Sequence, residues 1–319
     1  MDLRFTMDND PLTWNEGRWI DAYRAAVRKG DGFRSLRAEV FRHTREVVRQ
    51  HRYRVDGEEV ALNDTSSFRK RTFFYARSPT LVGLESPSGA EAAVVVQNAD
   101  CIEVAQALAL TGLYPAVLNM ANRQTPGGGV VGGAGAQEEN LFRRSDLFAS
   151  LFPFADFCQE YGLARDERHS YPLGRESGGI YSSQATFFRA SEPNGYRLLK
   201  HPFRLSVVSV PAINTPDLVV AFGGMRITER LVEPTREKIR TILRIASHHR
   251  HDSLVLSAFG CGAFGNPPGH MAELFAEVFN ESEFAARFRL IVFAIVDDHN
   301  ARKTHNPEGN VIPFLRVFD

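Results

Sequence analysis

The pattern of apolar and polar positions changes character near residue 90. Before it, residues 14–29 and 34–51 carry apolar side chains at helical spacing and predict two amphipathic helices. In the second, Leu36, Val40, Val47 and Val48 share one face. Arg37, Arg42, Arg45 and Arg49 spread over the rest, interspersed with Glu39 and Glu46, and this mixture of signs predicts a solvated face rather than a nucleic-acid surface. Residues 53–60, with Asp56-Gly57 in the middle, predict a hairpin. The basic run Arg69-Lys70-Arg71 beside Phe73, Phe74 and Tyr75 reads as an edge strand, with substrate contact as its alternative role.

From residue 91 strand-like and helix-like segments alternate. Residues 92–97 predict a buried strand, 100–110 a helix, 116–120 a strand and 138–151 a helix. The long stretch 152–204 reads as irregular except for a strand at 180–188. Residues 205–210 predict a further strand with a turn-rich exit at 211–216. Residues 228–248 predict a long helix capped by Thr228, which Pro234 would break or restart. A strand at 254–259, a helix at 267–278, a strand at 290–296 and a last apolar run at 311–317 complete the chain. Such alternation predicts an α/β sheet with helices on both faces, and ligands beyond the strand ends. The expected organisation is an accessory helical extension over 1–90, packed on the sheet as a cover, and a catalytic domain over 91–319. No internal repeat or low-complexity segment interrupts it.

Composition narrows the function classes. Lys+Arg and Asp+Glu are both 38, so net charge gives no support for a nucleic-acid partner. No stretch reaches the ~18–20 apolar residues that span a bilayer, and the opening MDLRFTMDNDPLTW has no apolar signal region. Cys101, Cys158 and Cys261 form neither a disulfide framework nor a paired metal spacing; they are expected as small buried residues in a reducing, cytoplasmic setting.

The chemistry concentrates in residues 115–140, PAVLNMANRQTPGGGVVGGAGAQEEN. A short strand runs into a polar turn at Asn122, then into Gly127-Gly128-Gly129. After seven more residues, three of them glycine, comes Gln137-Glu138-Glu139. Glycine at this density lets backbone N–H groups turn toward an anion. The paired glutamates either supply favourable charge to the first turn of a helix or deliver an acid to a bond being cut. Two carboxylates this close disfavour double ionisation, which helps one stay protonated. A second glycine loop, Gly260-Cys261-Gly262-Ala263-Phe264-Gly265, also follows a strand and precedes a helix. Two such loops suit a pyrophosphate. His248-His249-x-His251 reads as a surface cap at a helix end, with metal ligation as the alternative. No metal and no cofactor are expected.

Triple glycine, seven residues and Gln-Glu-Glu after a strand resembles the signature of the poly(ADP-ribose) glycohydrolases. The layout is similar to the microbial type, a macrodomain with an N-terminal helical extension. That resemblance implies a macrodomain-like, three-layer mixed sheet with helices on both faces. It implies cleavage of the ribose glycosidic bond of poly(ADP-ribose), with release of ADP-ribose from chain ends under the 152–204 stretch and the C-terminal tail. By the same resemblance Glu139 is the general acid and later base, and Glu138 holds the ribose hydroxyls. Asn122 anchors that ribose and Gln137 shapes the loop. Gly127, Gly128 and Gly129 would cradle phosphate with Gly260, Gly262, Ala263 and Gly265, and Phe264 would lie on the ribose rather than in the core. Asp100 would meet the adenine, unless it only caps a helix, and Asn214 would line the ligand. The substrate is expected to be ADP-ribose, poly(ADP-ribose) or an ADP-ribosylated protein, the chain a monomer, with no direct nucleic-acid or membrane partner. Rival readings are a mono(ADP-ribosyl) protein hydrolase of the same fold, a non-catalytic ADP-ribose-binding module, and a metal hydrolase built on the histidines.

Overall fold

The computed structural model describes residues 4–65, 68–81, 91–297 and 299–319. Its elements run α1 (Glu16–Lys29), α2 (Phe33–Gln50), β1 (Arg52–Val55), β2 (Glu58–Ala61), α3 (Phe68–Arg71), β3 (Thr72–Tyr75), β4 (Ala93–Gln97), α4 (Cys101–Leu110) and β5 (Pro115–Met120). They continue with α5 (Gln137–Arg144), α6 (Phe148–Leu151), β6 (Gly179–Arg189), β7 (Leu198–Val210), β8 (Leu218–Ala221), β9 (Gly224–Ile227), α7 (Glu229–His248), β10 (Ser253–Leu256), α8 (Pro268–Phe279), β11 (Leu290–Ala294) and α9 (Val311–Phe318). By compactness the chain groups into two units, 1–72 with 124–171 and 182–204, and 73–123 with 172–181 and 205–319. This grouping cuts across the division at residue 90 read from the pattern. The 82–90 end of that extension, and the side chain of Arg69, lie outside the described residues.

A mixed seven-stranded sheet runs in the order β3-β6-β7-β5-β10-β11-β4. β7, β5, β10, β11 and β4 pair parallel to one another in that order. The register explains why their sequences are apolar throughout rather than alternating. Val207, Val117, Val255 and Val292 line up across four strands on one face, where α4 packs with Ile102 and Ala105. Val208, Leu118, Leu256 and Phe293 share a core on the other face with Ile239 and Ile242 of α7 and with Leu274 and Phe275 of α8. Both faces are thus covered, as parallel sheets require. The apolar run 311–317 forms α9, whose Phe314 meets Phe293 with ring centroids 4.9 Å apart, so it belongs to this core.

In the first unit, α1 and α2 form as the pattern predicts, with Leu36, Val40, Val47 and Val48 buried. Trp19 is fully buried and its indole N–H donates to the Leu36 carbonyl at 3.1 Å. β1 and β2 pair antiparallel around Asp56 (φ 52°) and Gly57 (φ 79°), both left-handed, as a two-residue hairpin turn demands.

Several expectations are corrected. Residues 92–97 are strand but not buried: β4 ends the sheet, and only Val96 is inside. The basic run is a single helical turn, α3, with the edge strand beginning after it at Thr72. The helix expected over 138–151 breaks after Arg144. Ser145 turns extended to bridge Phe187, and Asp146 exchanges bonds with Thr186, so strand pairing outcompetes the helix. Strand 205–210 starts earlier, at Leu198, and the β8–β9 hairpin was not anticipated. Pro234 removes one intrahelical bond yet leaves α7 continuous, and Thr228 makes no side-chain cap. On α2, Arg37 and Glu39 are buried rather than solvated: Arg37 holds Glu192 through two bonds of 2.7 Å, and Glu39 pairs with Arg4.

Candidate active site

In the first unit the triple glycine forms a tight turn beside its own downstream glutamates. Gly127 (φ 75°) and Gly128 (φ 53°) are left-handed, and Gly128 N–H closes on the Thr125 carbonyl at 3.1 Å. A short 3₁₀ turn at Val130–Gly132 then leads into α5, which starts at Gln137. Glu138 and Glu139 therefore stand in its first turn, where the helix dipole favours negative charge.

Both carboxylates are buried, at 3% and 7% exposure. Gly127 N–H donates to Glu138 Oε1 at 3.0 Å, and Gly129 N–H donates to Glu139 Oε1 at 2.9 Å. The anions that this glycine loop cradles are thus its own two glutamates. This corrects the expectation that these two amides point at phosphate, and the reason is the length of the loop, which folds α5 back over the turn. The second oxygen of Glu139, Oε2, is buried with no hydrogen-bond partner among the described residues. A buried carboxylate oxygen left so is costly. The arrangement fixes one oxygen of Glu139 and leaves the other for a group that the chain does not supply.

Glycine at 128 follows from this packing: a Cβ there would lie 2.6 Å from Glu139 Oε1 and 3.2 Å from Glu138 Oε2. The later glycines have a different cause. A Cβ on Gly133 would strike the Arg34 carbonyl, and one on Gly135 the Arg37 guanidinium, so α2 lies against this part of the loop. α2 also ties down the far end of α5: Thr44 Oγ1 donates to the Arg143 carbonyl at 2.6 Å, while Arg143 Nη1 donates to Ala134 O at 2.7 Å and Nε to Tyr196 at 2.8 Å. Sequence reading missed this support. Its only signal was glycine in excess of what an anion-binding turn needs.

In the second unit the parallel strands deliver their exits to one edge of the sheet. Asp100 follows β4, Asn122 follows β5, Asn214 follows β7 and the second glycine loop follows β10. Asp100 caps α4, its Oδ1 accepting from Ile102 and Glu103 N–H at 3.0 Å each. Asn214 is exposed and accepts from Thr215 Oγ1, and Thr215 N–H reaches Phe264 O at 2.8 Å, joining two of these exits. Asn266 clamps the loop: its amide donates to Gly260 O at 3.1 Å and Ile213 O at 2.8 Å. Gly260 (φ 76°) is required because a Cβ would meet that amide at 2.5 Å. The N–H groups of Gly262, Ala263 and Phe264 find no acceptor among the described residues. Phe264 is partly buried and packs on the core.

Of the three histidines, His248 is exposed in the last turn of α7 and His249 is its C-cap residue, as a helix-end cap predicts, but His251 is not on the surface. His251 is fully buried, bonded to Tyr181 Oη at 2.9 Å and Tyr114 O at 2.9 Å, and burial lowers its pKa to about 4. His249 stacks on Tyr181 at 3.5 Å, and burial, with His248 and His251 nearby, lowers its pKa to about 3. Neutral and packed on aromatic rings, they serve the core. Among the described residues no group of three or more His, Cys, Asp or Glu side chains is placed to hold a metal. All three cysteines are buried, as expected, and none is in a disulfide among the described residues.

A mixed α/β sheet with glycine loops after its strands, and a glutamate pair bonded to one such loop, is an arrangement that can serve glycoside cleavage, which needs a carboxylic acid. Residues 42–190 match the family described as microbial-type PARG, catalytic domain. Among solved structures, the poly(ADP-ribose) glycohydrolase of Thermomonospora curvata is 32% identical, covering 88% of this chain and 99% of its own, with a TM-score of 0.69. Its complex with the inhibitor ADP-HPD aligns at 31% identity over 88% and 99%, TM-score 0.67. The Deinococcus radiodurans enzyme in complex with ADP-ribose is 25% identical over 82% and 99%, TM-score 0.61. No curated protein sequence matches. The chain belongs to the microbial-type poly(ADP-ribose) glycohydrolases and is a glycohydrolase.

Proposed function

We propose that Glu139 is the general acid that cleaves the terminal ribose–ribose bond of poly(ADP-ribose), releasing ADP-ribose from chain ends. The observation that carries this is the split environment of its carboxyl group: Oε1 is anchored by Gly129 N–H, and Oε2 is buried without a partner. Protonated at Oε2, the group gives its proton to the leaving oxygen as the C1–O bond breaks and its electrons pass to that oxygen. The sugar develops oxocarbenium character. The carboxylate left behind then removes a proton from water, which adds at C1 and restores the acid. Glu138, held by Gly127 N–H, accepts from the ribose hydroxyls, and Asn122 anchors the same ribose. The N–H groups of Gly262, Ala263 and Phe264 suit phosphate oxygens at the strand exits. Gly265 completes that loop, Phe264 and Asn214 line the ligand, and Asp100 lies at the strand end assigned to the adenine.

The ADP-ribose and ADP-HPD complexes of the two related enzymes support the ligand class. No helix among the described residues is long and apolar enough to cross a membrane. We further infer a cytoplasmic, monomeric enzyme without a nucleic-acid partner; the equal numbers of acidic and basic residues support the last of these. The test is Glu139→Gln on purified polymer. Removing a general acid lowers kcat by about 10²–10⁴-fold, while ADP-ribose affinity stays near wild type. Monomeric ADP-ribose is the product from the earliest time points. A fully active variant would remove Glu139 from the reaction, and early release of short oligomers would remove chain-end action.

A further inference from the structure

Besides Glu139, the first unit buries a phenol oxygen for which the described residues supply no partner. Tyr171 follows the short 3₁₀ segments after α6, and its backbone N–H is fixed by the Phe154 carbonyl at 2.8 Å. Its phenol oxygen is buried and meets no hydrogen-bond partner among the described residues. Burial, and then the charge of Glu138, hold the phenol well above its ordinary pKa. The hydroxyl is therefore a donor throughout the working range. Two residues on, Leu173 N–H donates to the Arg123 carbonyl at 2.9 Å, so this segment runs on to the β5 exit that carries Asn122.

An orphaned buried hydroxyl destabilises a fold, and phenylalanine of the same shape would avoid that loss. Packing alone thus favours phenylalanine here, and this chain has 24 of them. The oxygen makes sense if its acceptor arrives with a ligand. Glu138 supplies an acceptor for a sugar hydroxyl proton, but nothing on Glu138 donates to the same hydroxyl's oxygen while the carboxylate is ionised.

We propose that the Tyr171 hydroxyl donates a hydrogen bond to the oxygen of the terminal-ribose hydroxyl that Glu138 accepts from, holding that hydroxyl between a donor and an acceptor. This rests on the placement of the ribose at Glu138 proposed above, and it makes Tyr171 a substrate-binding residue that distinguishes ADP-ribose from ligands without the terminal sugar.

The test is Tyr171→Phe in the full chain, read by equilibrium binding of ADP-ribose and of ADP, which lacks that ribose. Loss of one hydrogen bond in a desolvated site weakens ADP-ribose by roughly 5- to 10-fold. ADP binding is unchanged, KM for polymer rises more than kcat falls, and the melting temperature is equal to or above wild type. Unchanged ADP-ribose affinity, or an equal loss for ADP and ADP-ribose, would overturn the assignment. Glu138→Gln separates the two claims. If its ADP-ribose affinity is unchanged, the ribose is not at Glu138 and both fail. If Glu138→Gln weakens binding and Tyr171→Phe does not, only the tyrosine's role fails.

Discussion

Gly128→Ala is the most demanding perturbation of the glutamate–glycine turn, because it adds one methyl group where the geometry leaves no room. The new Cβ would lie 2.6 Å from Glu139 Oε1, against 3.4 Å for an ordinary contact, so about 0.8 Å of movement is needed. The carboxylate cannot yield freely. It is buried and its Oε1 is held by Gly129 N–H at 2.9 Å. Glu138 Oε2, 3.2 Å away, blocks a second direction. The left-handed backbone at φ 53° adds about 1–2 kcal/mol for any residue with a Cβ. A catalytic group misplaced by ~1 Å loses about 10²-fold in rate. We therefore expect Gly128→Ala to fold with a stability loss of about 1–3 kcal/mol and a kcat some 10²-fold below wild type, measured by ADP-ribose release at saturating polymer. Gly132→Ala is the matched control: nothing lies within 4 Å of its Cβ and its φ is not left-handed, so rate and stability should hold. A Gly128→Ala enzyme with wild-type kcat would refute the contact between this turn and Glu139.

Two further predictions concern buried ionisable groups. Asp146 is fully buried, and burial pushes its carboxyl up to about 7 although it accepts Thr186 N–H at 2.7 Å. It binds its proton more tightly folded than unfolded, so stability falls as pH rises from about 4 to about 7 and is level above; Asp146→Asn, which keeps the acceptor, should raise stability at pH 8 by about 2–4 kcal/mol and flatten that slope in urea melts across pH. Lys238 on α7 is buried beside Arg123, and burial, then Arg123, lower its pKa to about 8. The penalty is complete below pH 8 and vanishes as pH rises to about 10.4, so Lys238→Met should stabilise the chain at pH 7 by about 1–3 kcal/mol and by little at pH 10. Equal stabilities of variant and wild type across these windows would refute either account.

Local signals were legible where local physics decides. Asp56-Gly57 specified its hairpin because only two left-handed residues close that turn. The valine rows of the parallel strands announced burial on both faces. What the chain did not announce depends on distant partners. Nothing near Ser145 indicates that Phe187 will draw it out of a helix. Arg37 looks solvated until Glu192, far along the chain, comes to it. His251 looks like part of a helix cap until Tyr181 bonds it in the interior. In β4, four apolar residues in a row imply burial, but the place at the sheet's edge overrides them. For the candidate site, the motif singled out the two glutamates and both loops as candidates. It did not reveal that the amides of Gly127 and Gly129 serve the glutamates themselves, since which anion an N–H meets depends on how α5 folds back over the turn.

The claim on which the rest depends is that Glu139 presents its unpartnered oxygen to the leaving atom of the substrate. A crystal structure of the chain with ADP-ribose bound measures this directly. We expect Oε2 of Glu139 within about 2.6–3.2 Å of the anomeric hydroxyl oxygen, as a general acid requires, with Oε1 still on Gly129 N–H. A bound ligand whose anomeric oxygen lies beyond reach of Glu139, or a Glu139 carboxyl turned to protein partners at both oxygens, would contradict it.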